Sequence, residues 1–313
     1  MSTDELLERV LAGGLIDPPA ALVAMLSGGR DSVCMLDLAV RARGPEAVLA
    51  VHVNYGLREE AAADERFCAE LCAALGVELA VERPRRPKDA GNLQAWARDT
   101  RYAAAARLAL ERDATIVTGH TADDQVETIL YRLASSPSRR ALLGMRPHDG
   151  KLARPLLASS REEVTAYCEC RGLSWREDRS NADLGFARNR IRHGLLPELA
   201  RVHPAAAANV LRTAALLRDE AEVLDALVGA ELDGSGGTPR GWIELRRLAE
   251  LPPALRRLVV QELADRAAGR PVAGAARHAE EVAALRRTGV ARLDLGGGVR
   301  AVAERGVLRA ERD

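Results

Sequence analysis

The stretch Ala21-Leu-Val-Ala-Met-Leu26 runs directly into Ser27-Gly-Gly-Arg-Asp-Ser32 and then into Val33–Arg43, whose apolar residues recur at helical spacing. A short apolar run, a glycine-bearing polar turn and a helical period read as buried strand, tight loop and helix. The alternation continues. Ala47–Asn54 is a valine-rich second strand and Ala61–Leu75 an amphipathic helix. Val77–Glu82 is a third strand, Asn92–Arg112 a long helix, Thr115–Gly119 a fourth strand and Ala122–Ala134 a further helix. Strands alternating with helices at this spacing call for right-handed crossovers, hence an α/β fold with a parallel sheet and helices on both faces. In such sheets ligands sit at the carboxyl ends of the strands. Three polar clusters fall there: Ser27–Ser32, His52–Arg58 and His120–Asp124.

After Ser135 the alternation stops. Ser135–Arg140 reads as a loop, and Arg154-Pro-Leu-Leu157 as an extended segment that closes the sheet domain. Ser160–Arg171 is a helix opened by a capping box, Ser160 with Glu163. A polar stretch, Arg176–Arg190, leads into a short helix expected to stop near Pro197. From about His203 an Ala/Leu helix runs to Leu232; helices over Trp242–Ala268, broken at Pro252-Pro253, and Val272–Arg287 follow. Ala291–Leu295, Val299–Glu304 and Val307–Ala310 alternate between glycine turns as a small β meander. The pattern predicts a first domain over 1–200 and a second, mainly helical one with the meander over 201–313.

Composition sets outer bounds. The 313 residues (33.6 kDa) are 47% hydrophobic, which excludes wholesale disorder, and 3% aromatic, so the core is built from Leu, Val, Ile and Ala. No apolar run approaches the roughly 18–20 residues that span a bilayer, and the start lacks a basic-then-apolar leader. Five cysteines without a paired framework fit a reduced cytoplasm. Net charge is zero, and of 45 basic residues all but Lys88 and Lys151 are arginine. Arginine grips phosphate as a planar fork, but a coding bias toward Arg and Ala is the simpler explanation of the composition. Residues 201–313 carry 18 arginines against 16 acidic residues, so the tail shows no strong polyanion signal.

In Ser27–Ser32 the glycine pair lets the backbone turn sharply and approach a ligand. A helix starting there directs unpaired N–H groups and a partial positive charge at that ligand, which suits pyrophosphate. Ser27 and Ser32 add hydroxyl donors, and Asp31 a carboxylate able to hold magnesium. The loop is neither a Walker A sequence nor a Gly-x-Gly-x-x-Gly fingerprint, and a plain helix cap on a glycine turn would look similar. In the second cluster Asp124 and Glu127 share a helix face three residues apart, with His120 at the preceding strand end. Asp123 and Asp124 equally fit ordinary charge at a helix N-terminus. His52 fits a satisfied strand-end histidine as well as a pocket wall. Arg188 and Arg192, at i, i+4, are expected on one helix face. No His/Cys quartet at zinc spacing is present.

These loops resemble the PP-loop ATP pyrophosphatases, which cleave ATP between the α and β phosphates. Taken in order, His52-Val-Asn-Tyr-Gly-Leu-Arg58, Thr118-Gly-His-Thr-Ala-Asp-Asp-Gln-Val-Glu-Thr128, Gly144-Met145, Arg154-Pro-Leu-Leu157 and Glu177-Asp178, Ser180-Asn181, Arg188-Asn-Arg-Ile-Arg192 are similar to the bacterial tRNA(Ile)-lysidine synthetase family. The resemblance spans about Ala21–Leu199 and implies an adenine-nucleotide alpha-hydrolase-like, Rossmann-type catalytic domain, with 201–313 binding tRNA. It implies ATP and Mg2+ as cofactors, free lysine and isoleucine tRNA with a CAU anticodon as partners, no membrane, and a cytoplasmic enzyme for which a homodimer is the default assembly. The reaction would join lysine to C2 of the wobble cytidine through an adenylated cytidine, releasing pyrophosphate and then AMP. The ATP site would comprise Ser27, Gly28, Gly29, Arg30, Asp31, Ser32, His52, Asn54 and Arg58, with Asp31 as the magnesium ligand. Asp31, His120, Asp124, Arg188 and Arg192 would carry catalysis, Asp124 orienting or deprotonating the lysine amine and His120 lying near the α phosphate. The sequence departs from the family at Tyr55, usually His, and Gln94, usually Glu; Gln94 can offer lysine only a neutral hydrogen bond. The Ser135–Arg140 loop lacks the family's glycines. Two other readings remain open here: a tRNA-thiolating relative, disfavoured because Cys68/Cys72 and Cys168/Cys170 are not Cys-x-x-Cys pairs, and a non-catalytic nucleotide- or RNA-binding relative.

Overall fold

The computed structural model describes residues 3–312 except 18–19, 58, 88–90, 137–138, 178–182, 233–240 and 287. The candidate Arg58 and the Ser180-Asn181 motif therefore lie outside the described residues. The chain forms two compact units, Met1–Ala215 and Leu216–Asp313.

In the first unit the strands are β1 (Leu22–Met25), β2 (Val48–Val53), β3 (Glu78–Glu82), β4 (Thr115–Val117), β5 (His148–Asp149) and β6 (Leu152–Ala153), in the order β3-β2-β1-β4-β6-β5. All neighbours are parallel except the β5–β6 pair. Side-chain alternation splits the core between two faces. Leu22 and Ala24 of β1 and Val48 and Ala50 of β2 pack with α1 (Thr3–Ala12), α2 (Arg30–Arg43), α3 (Ala61–Leu75) and α7 (Arg161–Cys170). Val23, Met25, Leu49 and Val51 pack on the other face against Ala105, Leu108 and Ala109 of α4 (Leu93–Glu111). The expected parallel sheet covered on both faces is thus present.

β1 leads outward to β2 on one side, while β4 sits on its other side, so the strand order reverses between β1 and β4. The loops after these two strands flank that switch point, where open α/β sheets bind ligands. The second loop feeds α5 (Ala122–Ser135), followed by the short α6 (Arg139–Leu142).

Several sequence expectations are corrected. Pro155–Ala158 form turns, not an extended strand; β6 ends at Ala153, and the β5–β6 hairpin extends the sheet. The helix near Pro197 does not stop there. A four-residue α8 (Ala187–Arg190) passes into a π-helical turn, Ile191–Leu195, and on into α9 (Leu196–Val202), with Pro197 at its second position.

In the second unit α10 (Ala206–Leu232), within which the division at Ala215 falls, precedes β7 (Trp242–Glu244), α11 (Leu245–Glu250) and α12 (Pro253–Ala268). A 3-10 turn (Ala275–His278) and α13 (Ala279–Ala283) lead to β8 (Val290–Gly296), β9 (Val299–Glu304) and β10 (Val307–Arg312). The expected meander gains β7 as a fourth strand, antiparallel to β10, where a helix was expected from Trp242. Of the helix expected over Val272–Arg287 only the 3-10 turn and α13 form. Among the described residues no helix is long and apolar enough to cross a membrane.

Candidate active site

The turn after β1 is built as a phosphate cradle. Gly28 has φ of 84°, and a Cβ there would press on Cys68 Sγ and Phe67 Cδ1 at 3.3 Å, so only glycine fits. Gly29 is the N-cap of α2 and no side chain caps the helix. Instead, Ser32 Oγ donates to Gly29 O (2.8 Å) and accepts from Ser27 N (3.2 Å), which shapes the turn and leaves the first helical N–H groups without a side-chain acceptor. A hydrogen bond from Arg176 N to Gly28 O (2.9 Å) ties the segment beyond α7 to the same turn.

The β4 turn meets the β1 turn at Gly119. A Cβ on Gly119 would lie 2.4 Å from the Asp31 carbonyl oxygen, so this approach exists only because residue 119 has no side chain. It sets Asp31 against the His120–Glu127 cluster. Burial raises the Asp31 carboxyl above its usual range; Arg30, whose Nε donates to Asp31 Oδ1 (3.0 Å), opposes this, and the Asp124 charge adds to it. Asp124 is both helix cap and site residue. Its Oδ2 accepts from Thr121 N (2.9 Å) and Oγ1 (3.1 Å), while Oδ1 faces Arg192 Nη2 at 3.8 Å. Asp123 turns away and accepts from Arg161 N (2.8 Å).

Glu127, 1% exposed, receives Arg192 as a two-pronged fork, Nε to Oε1 at 2.6 Å and Nη2 to Oε2 at 3.2 Å. Arg161 Nη2 adds a contact at 4.0 Å. Burial still raises the Glu127 carboxyl, since it outweighs the lowering by Arg192, and Asp124 reinforces the rise. His120 is held near pKa 4, by burial first and then by Arg154, Arg101 and Arg98, against the opposing pull of Asp124. Its imidazole is therefore neutral at pH 7, with Nδ1 2.8 Å from Thr118 Oγ1.

The structure brings together Asp31, His120, Asp124, Glu127 and Arg192 from the sequence clusters, and adds Arg161. Arg188, one helical turn before Arg192, bears on Arg132 of α5, while Arg192 engages Glu127 of the same helix. His52 is 5% exposed, with Nδ1 at 3.0 Å from Leu26 O and 3.4 Å from Cys68 Sγ, and so braces the ends of β1 and β2. Asn54 is engaged by Glu65 Oε2 (2.7 Å) and Gly56 N (2.9 Å), and shapes the loop before α3. Tyr55 donates to Ala97 O (2.6 Å) and packs edge-on to Trp96. Gln94 is exposed at the start of α4. The Gly144-Met145 motif is structural: Gln125 bonds Met145 N and O, and Gly144, φ 66°, leaves no room beside it for a Cβ.

Arg161 escaped the sequence reading because it opens a helix that looked merely capped. Arg154 stood in a quoted motif without a role. Only the fold puts it next to His120.

Magnesium fits the acidic edge. Asp31 and Asp124 repel one another in a buried setting, which a divalent cation would relieve. Among the described residues no group of three or more His, Cys, Asp or Glu forms a metal cage, as expected for an ion that takes one or two carboxylates and otherwise phosphate and water. All five cysteines are free thiols. Four are buried; Cys68 is pushed up to about 12, chiefly by burial, so it offers no thiolate at neutral pH, and Cys170 alone is exposed.

This geometry defines a class, an ATP-pyrophosphatase-like α/β site at a switch point. Residues 4–199 match the PP-loop domain family, and the chain belongs to that family. The chain is 42% identical over 239 residues to the tRNA(Ile)-lysidine synthase of Azoarcus sp. (strain BH72), covering 73% of this chain and 52% of the relative. It is 39% identical over 274 residues to the synthase of the same name from Thermus thermophilus, covering 85% of this chain and 52% of the relative. The chain spans about half the length of these curated relatives. Among solved structures, a U34-tRNA thiolase from Methanococcus maripaludis superposes with a TM-score of 0.58 at 18% identity, covering 69% of this chain and 78% of that one, a likeness of fold alone.

Proposed function

We propose that the protein is a tRNA(Ile)-lysidine synthetase that joins free lysine to C2 of the wobble cytidine in isoleucine tRNA with a CAU anticodon. The observation that carries this reading is the contact at Gly119, which sets a phosphate-cradling turn against His120, Asp124 and Glu127 in a chain 39–42% identical to curated synthases of that name.

In the first step the cytosine O2 attacks the α phosphorus of ATP, and pyrophosphate leaves. Ser27–Ser32 and the uncapped end of α2 hold the departing phosphates; Asp31 would hold a magnesium ion, which would supply positive charge to offset that of the leaving group. Neutral His120, fixed through Thr118, directs its remaining ring nitrogen toward the α phosphate. In the second step Asp124 Oδ1 and Glu127 orient the cationic lysine, and Asp124 takes a proton from its ammonium. The neutral amine so formed attacks C2, and AMP leaves with the electron pair of the C–O bond. Arg192 neutralises the pair of carboxylates until the substrates arrive, then turns to phosphate. Catalysis of this kind rests on positioning and fixed charge. The unit 216–313 is assigned to tRNA binding.

The test is pyrophosphate release from ATP by the wild type and by Asp31→Asn, with tRNA and lysine present. Release that needs the CAU-anticodon tRNA, and a fall of at least about 100-fold in the variant, support the reading. Release independent of tRNA, or an unimpaired variant, contradicts it.

A further inference from the structure

Many arginines of this chain face a carboxylate, Arg9, Arg83, Arg107, Arg171, Arg192 and Arg256 among them. Five that gather beside His120 do not. Arg98 and Arg101 on α4, Arg132 on α5, Arg154 after β6 and Arg188 on α8 form no ion pair with any carboxylate among the described residues. They are close in space. Arg132 Nη1 donates to Gly144 O and Arg154 Nη1 to Arg146 O, both at 2.6 Å, so two guanidinium groups hold carbonyls two residues apart in one loop. Arg98 and Arg101 both lie over the Tyr102 ring, at 4.7 and 5.8 Å. Arg98, Arg154 and Arg188 together depress Arg132 after its burial, and Arg98, Arg101 and Arg154 depress His120.

The basin has an exposed mouth, Arg98 and Arg188, and a buried floor. Arg154 is 6% exposed, and the Nε atoms of Arg154 and Arg101 are buried without a hydrogen-bond partner. Gathered like charges and unpaired buried donors both cost stability, so such a cluster is maintained for an anion. The carboxylates Asp31, Asp124 and Glu127 have their own cations in Arg30, Arg161 and Arg192. The site therefore holds one charge-balanced group and one strongly cationic group.

We infer that the five-arginine basin binds backbone phosphodiesters of the RNA strand on either side of the reacting nucleoside. The inference rests on the proposed function for the identity of the polyanion. A single amino-acid carboxylate engages one guanidinium fork, and five forks spread over four elements match successive phosphates instead. The terminal phosphates of ATP already have the uncapped end of α2.

The test uses the full chain with Arg98→Gln/Arg188→Gln, both at the exposed mouth, and a tRNA transcript with a CAU anticodon. Anisotropy titrations across salt concentrations read affinity and its salt slope. Loss of two phosphate contacts lowers the magnitude of that slope by about 1–2 and weakens binding by about 10-fold or more at low salt. An anticodon stem-loop with uncharged methylphosphonates flanking the wobble nucleotide should weaken wild-type binding and leave the variant's unchanged. Unaltered RNA affinity and slope overturn the inference, as does a raised KM for lysine or weakened ATP binding with RNA binding intact. Because the titrations need no turnover, an enzyme that binds this RNA through the basin yet makes no lysine adduct contradicts the proposed function and leaves the basin standing.

Discussion

His120 and Asp31 have opposite pH signatures. Since the fold holds His120 near 4 against an ordinary 6.5, the folded and unfolded chains are equally unprotonated there above about pH 6.5. Between 6.5 and 4 the unfolded chain takes up a proton that the folded one refuses, so stability is lost as pH falls through that window. His120→Gln removes this dependence, and unfolding midpoints measured from pH 7 to 4 should fall less steeply for the variant, by up to about 3 kcal/mol at the acid end. Asp31 runs the other way. Its raised carboxyl favours the fold below the ordinary aspartate range, and that advantage is lost as pH rises through the folded value, so at neutral pH its ionised form is a liability in the protein without nucleotide. Asp31→Asn should raise the thermal midpoint at pH 7.5 while suppressing pyrophosphate release, as functional residues often trade stability for activity; a lowered midpoint contradicts this. At this scale the Ser27–Ser32 turn was legible, because a glycine pair after an apolar run has few uses. The arginine basin was not: its members are spread from residue 98 to 188 among many other arginines, and nothing local separates them from surface charge.

Between elements, two contacts fix α2, the helix that presents the phosphate turn. At its N-terminus, Gly119→Ala would drive a methyl against the Asp31 carbonyl, which lies 2.4 Å from the Cβ position. Backbone has to move, at a cost of about 1–3 kcal/mol. Urea unfolding should show that loss, and ATP binding by calorimetry should weaken at least about 10-fold; a variant with wild-type stability and ATP affinity would show that the two turns do not need this approach. Further along, Asp37 of α2, 1% exposed, accepts from the Tyr167 hydroxyl and from Arg171 Nε (3.1 Å) of the α7 end. Tyr167→Phe leaves that buried carboxylate one donor short and should cost about 1.5–3 kcal/mol in urea unfolding, with little change in KM for ATP; an unchanged midpoint contradicts the clamp. Elements were legible where their period was long, as in α3, predicted to the residue at Ala61–Leu75. Short ones were missed. β5 and β6 have two residues each, too few to show alternation, and β7 runs into α11 without glycine or proline to mark the change.

Over the whole molecule, the α/β unit follows from sequence because its strands alternate with helices, and the polar clusters after β1 and β4 then meet at the switch point between those strands. The unit 216–313 carries a comparably dense core, with Leu232, Leu248, Val259 and Val299 fully buried, but its sequence signals packing and no chemistry. The central claim is that the switch-point site joins lysine to a tRNA base through an adenylated intermediate. Mass analysis of isoleucine tRNA after incubation with the protein, ATP and each amino acid in turn tests this most directly. A mass gain equal to lysine less one water, confined to the wobble cytidine and seen with lysine alone, is the predicted result; an unmodified tRNA, or one in which sulfur has replaced oxygen, contradicts the account.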